Sequence, residues 1–184
     1  MIPHLHVHLE PEERKRLALG RSLVRSWSPA AFFDAHSLSH PGRLSVSVAD
    51  LQQFLKDLHY EQQESGVDYV ELRLSPRRFL ANGVHWDELI SAADSAVAHL
   101  TQPVIRFVLL VNRDSTPGFI EECMARIDAG LPPTFVGIDL AGDESRFPDV
   151  SGFVTLFAVA AACGLGATVH AGEFVTDDRG IWRA

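Results

Sequence analysis

Cysteine is scarce in this chain. Only Cys123 and Cys163 occur in 184 residues, both in helix-like contexts. Two such residues make no disulfide framework, and buried free thiols in a cytosolic protein are the expectation. Basic residues are also in deficit, 16 against 24 acidic, for a formal charge of −8. An acidic surface argues against a nucleic-acid backbone or an anionic membrane as the main partner. No apolar run reaches transmembrane length, and the first residues lack the basic-then-apolar pattern of a signal peptide. There is no Walker-type glycine loop and no Gly-x-Ser-x-Gly elbow, so two common catalytic classes lose ground. Internal repeats and low-complexity tracts are absent too. With 46% hydrophobic residues, the chain can still bury a real core as one domain.

Five short apolar runs alternate with longer amphipathic stretches. The runs are His4 to Leu9, Tyr69 to Ser75, Val104 to Asn112, Phe135 to Leu140 and Ala167 to Ala171. Helical patterns lie between them, at Val48 to Ser65, Asp87 to Leu100, Gly118 to Ala129 and Gly152 to Cys163. Val48, Leu51, Phe54, Leu55 and Leu58 make an apolar stripe at helical spacing. Asp114, Ser115 and Thr116 before Pro117 are start signals, and Gly66 and Gly130 are stop signals. Alternating strands and helices imply a parallel sheet with right-handed crossovers. The stretch from Glu10 to Val46 breaks the rhythm. It reads as a helix near Glu12 to Val24 followed by a long loop or short helices over Ser28 to Arg43, either a lid or binding loop or a plain surface connection.

The strand faces discriminate between parallel architectures. In the first run Leu5, Val7 and Leu9 alternate with His4, His6 and His8. In the second, Val70, Leu72 and Leu74 oppose Tyr69, Glu71, Arg73 and Ser75. In the fourth, Val136, Ile138 and Leu140 oppose Phe135, Gly137 and Asp139. An open doubly wound sheet carries helices on both faces and reads apolar on both. One aliphatic and one polar face fit a closed (β/α) barrel better, with its site at the C-terminal ends of the strands.

Three strings stand at such ends. His6 and His8, two apart on a strand, share a face and can reach one ion. His170 ends another strand and supplies a third nitrogen, with Gly172 allowing a sharp bend and Glu173 a carboxylate for proton transfer. Three nitrogen ligands that leave room for a carboxylate and a water make the layout of a catalytic zinc site. Asp139 ends the fourth run, and Gly142 can bring a backbone N–H against a ligand. Asp143 and Glu144 read as acidic residues at the start of the next helix. Glu71 and Arg73 read as an ion pair lining the barrel. His36, His40, His59, His85 and His99 read as surface or packing residues.

Four strings together resemble the adenosine deaminase family of metal-dependent amidohydrolases. They are His6-Val7-His8-Leu9-Glu10, Gly66 through Pro76, Val136 through Glu144, and Thr168-Val169-His170-Ala171-Gly172-Glu173, in the family's order along nearly the whole chain. The resemblance implies one Zn2+ held by His6, His8 and His170. It implies Glu173 as the acid that protonates the purine ring. It places His8, Glu10, Gly142 and Asp139 on the substrate side, with Glu10 at the ribose and the Gly142 backbone at the base. The implied reaction is hydrolytic deamination of adenosine or a related purine nucleoside or base, releasing ammonia.

The sequence departs from the family pattern in two respects. Pro11 stands where the family has glycine, beside the ribose position. The family's later histidine and its aspartate pair, one of them the fourth zinc ligand, are not in the chain. Asp177 and Asp178 lie too close to Glu173 to replace them. The expected fold is therefore an incomplete TIM (β/α) barrel, about the first five βα units of eight, since a full barrel takes about 250 residues. The expectation is one partial domain over residues 1–184, with a lid or binding segment at 10–46. Such a domain would need a complementing C-terminal half-barrel chain, or self-association at its open strand edges. The alternative is an inactive deaminase-like subunit that binds metal or protein.

Overall fold

The computed structural model describes residues 3–8 and 47–172. The expected helix near Glu12 to Val24, the segment 10–46, Glu10, Pro11 and Glu173 lie outside the described residues. Among the described residues, five strands form one sheet: β1 (Pro3–His8), β2 (Tyr69–Leu74), β3 (Val104–Asn112), β4 (Phe135–Ala141) and β5 (Gly166–Val169). Every pairing is parallel and spatial order follows sequence order. Helices link the strands, so all C-terminal strand ends lie along one edge.

Local chemistry explains where the helices begin and end. Helix α1 (Val48–Glu64) starts at Ser47. The Ser47 hydroxyl accepts from the Asp50 N–H, and the Asp50 carboxylate accepts from the Ser47 N–H at 2.8 Å, a reciprocal cap. Leu51, Phe54, Leu55 and Leu58 then fall on one face and are buried. Gly66, at φ +70°, turns the chain out of the helix while the Val67 N–H closes onto the Gln62 carbonyl at 3.0 Å. Pro76 opens a short helix, α2 (Pro76–Leu80), that the periodicity did not suggest because five residues are too few to show a stripe. Helix α3 (Trp86–Val97) ends three residues before the expected Leu100. Helix α4 (Pro117–Asp128) is capped by Thr116, whose hydroxyl accepts from the Phe119 N–H. A 3₁₀ turn (Ser151–Phe153) leads into α5 (Val154–Ala162).

Two apolar clusters lie between the helices and the outer face of the sheet. In the first, Leu51, Leu55 and Leu58 of α1 and Leu89, Ala93 and Val97 of α3 cover Val70, Leu72, Leu74, Ile105 and Phe107. In the second, Ile120, Cys123 and Ile127 of α4 and Leu156 and Ala160 of α5 cover Leu109, Val111, Ile138 and Leu140. Each fully buried leucine contributes about 1.5–3 kcal/mol relative to an exposed one. No helix among the described residues is long and apolar enough to cross a membrane.

Two bulges correct the expected faces. In β4 the register runs from Phe107↔Phe135 to Val108↔Gly137, so one extra residue intervenes. Phe135 therefore joins the outer core, its ring 5.0 Å from that of Phe107, instead of sharing the inner face with Gly137 and Asp139. In β1 the register runs from His4↔Val70 to Val7↔Leu72. His4 thus pairs opposite an outer-face residue, while His8 pairs opposite Arg73 on the inner face. Strict alternation fails at both places because a bulge shifts parity by one. One cysteine also departs from expectation. Cys123 is buried but Cys163, just past α5, is exposed.

Candidate active site

The polar inner face converges on the C-terminal end of β5. His170 follows that strand, and its N–H donates to the Leu140 carbonyl at 2.8 Å, which seats it beside β4. Its Nδ1 lies 3.1 Å from Asp139 Oδ1. Asp139 is 1% exposed. Its other oxygen, Oδ2, accepts from Arg73 Nε at 3.1 Å. Arg73 lies 3.8 Å from the Glu71 carboxylate, and Glu71 accepts from the Tyr69 hydroxyl at 3.2 Å. A chain of polar contacts therefore crosses from β2 through β4 to β5. The expected Glu71–Arg73 pair exists, but the shorter contact of Arg73 is to Asp139.

This chain determines the state of the histidine. Burial alone would raise the Asp139 pKa, but the hydrogen bonds and charges of His170 and Arg73 outweigh it and hold the carboxyl below the usual range. A carboxylate only accepts, so Nδ1 of His170 must carry the proton. In the neutral ring, Nε2 is then the nitrogen with an electron pair to offer. A carboxylate behind the distal nitrogen is how metal-ligating histidines are oriented. The donor set at His170 thus fits a metal such as zinc.

The other expected ligands are placed through their strand. In the β1 backbone His8 sits at the register position of Arg73, and His6 within the bulged stretch before Val7. Among the described residues no group of three or more histidine, cysteine or acidic side chains is arranged to hold an ion.

A second cluster lies beside the first. Gly142 has φ +119°, and a Cβ there would come within 3.4 Å of the Arg113 backbone nitrogen and 3.6 Å of its Cβ. Glycine is what lets the end of β4 turn against Arg113. The Arg113 N–H donates to the Ala141 carbonyl at 2.7 Å, and its Nη2 donates to the His170 carbonyl at 3.0 Å. Burial pulls the Arg113 pKa down, and the Glu144 charge opposes that. Glu144 lies 3.8 Å from Arg113, and its Oε2 accepts from the Gly172 N–H at 3.0 Å.

Asp143 and Glu144 are therefore not residues at the start of a helix, as the sequence suggested. Asp143 Oδ1 caps a turn by accepting from the Ser145 N–H and hydroxyl and the Arg146 N–H. Both are buried, at 6% exposure. The next regular helix, α5, begins only at Val154. Arg113 was not singled out from sequence. A charged residue directly after a long apolar strand was the available signal, because barrel sites collect there. Of the remaining histidines, His85 and His99 are exposed, and His59 contacts the Gln102 carbonyl at 3.1 Å; His36 and His40 lie outside the described residues.

Known proteins resemble this chain in sequence and in fold. The family profile described as adenosine deaminase matches residues 31–184. The adenosine deaminase of Edwardsiella ictaluri is 31% identical, over 98% of this chain and 60% of that protein. Among solved structures, the adenine deaminase from Arthrobacter aurescens superposes with a TM-score of 0.71 at 22% identity, over 94% of this chain and 57% of that one. The N6-methyl-AMP deaminase from Arabidopsis thaliana gives 0.70 at 20% identity, over 98% and 60%. The structural likeness, at these identities, is one of fold. The chain spans 38%, 59% and 60% of the lengths of three adenosine deaminases it matches. By its profile match, its identity to these relatives and the order of its strand-end motifs, the chain belongs to the adenosine deaminase family.

Proposed function

We propose that this chain forms the first five βα units of an eight-stranded barrel deaminase. That enzyme removes the amino group of adenosine or a related purine by zinc-dependent hydrolysis and releases ammonia. The observation that carries the reading is the buried Arg73–Asp139–His170 chain at the C-terminal end of β5. It fixes one histidine tautomer and aims Nε2 away from the carboxylate.

His6, His8 and His170 are the residues that would hold the zinc. Bound there, zinc would supply the Lewis acidity that makes water a nucleophile near neutral pH. Asp139 holds the proton on His170 Nδ1 and orients the ring. Glu173 delivers a proton to the ring nitrogen beside the amino-bearing carbon, so that charge does not build up on the purine. The Gly142 backbone, with Glu10, His8 and Asp139, lines the substrate side.

The names of the relatives span adenosine, adenine and N6-methyl-AMP, so the family relationship leaves the purine open. Strands completing the barrel belong beside β5, whose Gly166, Ala167 and Thr168 are exposed. In this reading they carry the fourth zinc ligand and the water-activating histidine.

The test is zinc stoichiometry and ammonia release. Adenosine, adenine and N6-methyl-AMP are offered to the zinc-loaded chain, alone and with a complementing C-terminal half-barrel. The expected result is one zinc per chain and turnover of one purine only in the complemented sample. His170→Ala should lose zinc. Glu173→Gln should lose turnover and keep zinc. A complemented sample that binds zinc and deaminates none of the three would favour an inactive metal-binding subunit. Turnover by the uncomplemented monomer would refute the need for further strands.

A further inference from the structure

We propose that Arg113 and Glu144 form a buried clamp that positions the backbone bearing His170 and leading into Glu173. The proposal rests on the functional reading above for the roles of those two residues. The clamp itself rests on geometry. Arg113 follows β3, Glu144 follows β4, and the gripped segment follows β5. Arg113 Nη2 holds the His170 carbonyl at 3.0 Å, and Glu144 Oε2 holds the Gly172 N–H at 3.0 Å. The same two atoms, Nη2 and Oε2, lie 3.8 Å apart. Ala171 is thus pinned between two fixed points.

Both charges are deep, with Arg113 5% and Glu144 6% exposed. Burying an ion pair costs solvation that its attraction barely returns, so such a pair is a poor device for stability alone. Arg113 Nε makes no hydrogen bond and is buried, a further cost left uncompensated. What the arrangement supplies is direction. A backbone carbonyl and a backbone N–H two residues apart are each given one charged partner, and the partners are linked to each other. Gly142, whose φ of +119° favours glycine, turns the end of β4 alongside the Arg113 backbone and stem. Arg113 and Glu144 are positioning residues, acting through the main chain on the ligand and the acid.

The experiment compares Glu144→Ala, Glu144→Gln and Arg113→Lys in the full chain. Gln retains an oxygen for the Gly172 N–H, whereas Lys has no planar fork to span carbonyl and carboxylate together. Three quantities are read: exchange of the Gly172 amide in metal-free protein by NMR, exchange of the Leu72 and Leu109 amides, and Zn2+ affinity by chelator competition.

In Glu144→Ala and Arg113→Lys, Gly172 should exchange about tenfold faster or more, with Leu72 and Leu109 unchanged. Zinc affinity should fall about tenfold or more, the scale of a lost outer partner. Glu144→Gln should stay near wild type in all three. Wild-type Gly172 protection in Arg113→Lys or Glu144→Ala would overturn the clamp, as would equal acceleration at Leu72 and Leu109, which marks general destabilisation. Unchanged zinc affinity despite faster Gly172 exchange would overturn its role in positioning His170. If Glu144→Ala does not fold, Arg113→Lys and Glu144→Gln decide. If the wild-type chain takes up no zinc, the functional reading falls, and Gly172 exchange alone decides the clamp.

Discussion

Asp139→Asn tests whether the tautomer of His170 matters. The substitution is nearly isosteric, so packing around β4 is kept. An asparagine has one oxygen and one NH2 where the aspartate had two acceptors. Arg73 Nε, a charged donor 3.1 Å from the present Oδ2, will claim the oxygen. The NH2 then faces His170 Nδ1, 3.1 Å from the present Oδ1. Nδ1 must turn acceptor, so the ring proton moves to Nε2. A histidine protonated at Nε2 has no electron pair there for a metal.

The expected loss of Zn2+ affinity is about 10–100-fold, or about 1.4–2.7 kcal/mol. The lost charge-assisted bonds should lower folding stability by about 1.5–3 kcal/mol. That is less than the about 3–5 kcal/mol of a fully broken buried pair, because Asn still accepts from Arg73 and Glu71 remains 3.8 Å away. Chelator competition reads the affinity, and urea unfolding of the metal-free chain reads the stability. Wild-type zinc affinity in a folded Asp139→Asn chain would refute the tautomer argument. A large fall in stability with unchanged affinity would make the Arg73–Asp139–His170 chain purely structural.

Two further outcomes follow from packing and burial. At Gly137 a Cβ would stand 2.9 Å from the Gly166 carbonyl oxygen, a backbone atom with little room to yield; Gly137→Ala should therefore push β5 off β4 and cost about 1–3 kcal/mol, and an unfolding curve matching wild type would count against the β4–β5 register. Burial, with the Glu122 charge, raises the Cys123 thiol to about 12, while Cys163 is exposed. Iodoacetamide at neutral pH should modify Cys163 and spare Cys123 until the chain unfolds, as read by peptide mass; early labelling of Cys123 would contradict the α4 packing.

Much of the architecture was legible in the sequence because its signals are local. The stripe Leu51, Phe54, Leu55 and Leu58 becomes the buried face of α1. The run Val104–Asn112 is β3 to the residue. Strands β2 and β4 match their runs to within one residue. Periodicity and caps act over a few residues, so a linear reading recovers them. The candidate site was legible only as a set of strand-end strings. His170 and Asp139 were both singled out, but nothing in the linear order says that they touch, since 31 positions separate them. Arg113 escaped notice because its partners are His170 and Glu144, and both are remote in sequence.

What the sequence by itself determined is the alternation of strand and helix, the aliphatic face of β2, the helix caps and the family-like strings at strand ends. These follow from side-chain patterning within one turn or one strand. Tertiary structure decided the rest. Bulges in β1 and β4 moved His4 and Phe135 to other register positions than alternation implies. Arg73 took Asp139 as its nearer partner, and Glu144 became a tie to Gly172 instead of a helix-start residue. Those outcomes depend on which strands lie side by side and at what register. That is settled by burying the outer aliphatic face under helices while giving buried inner-face charges such as Arg73 and Asp139 partners, a condition on the whole sheet that no local window contains.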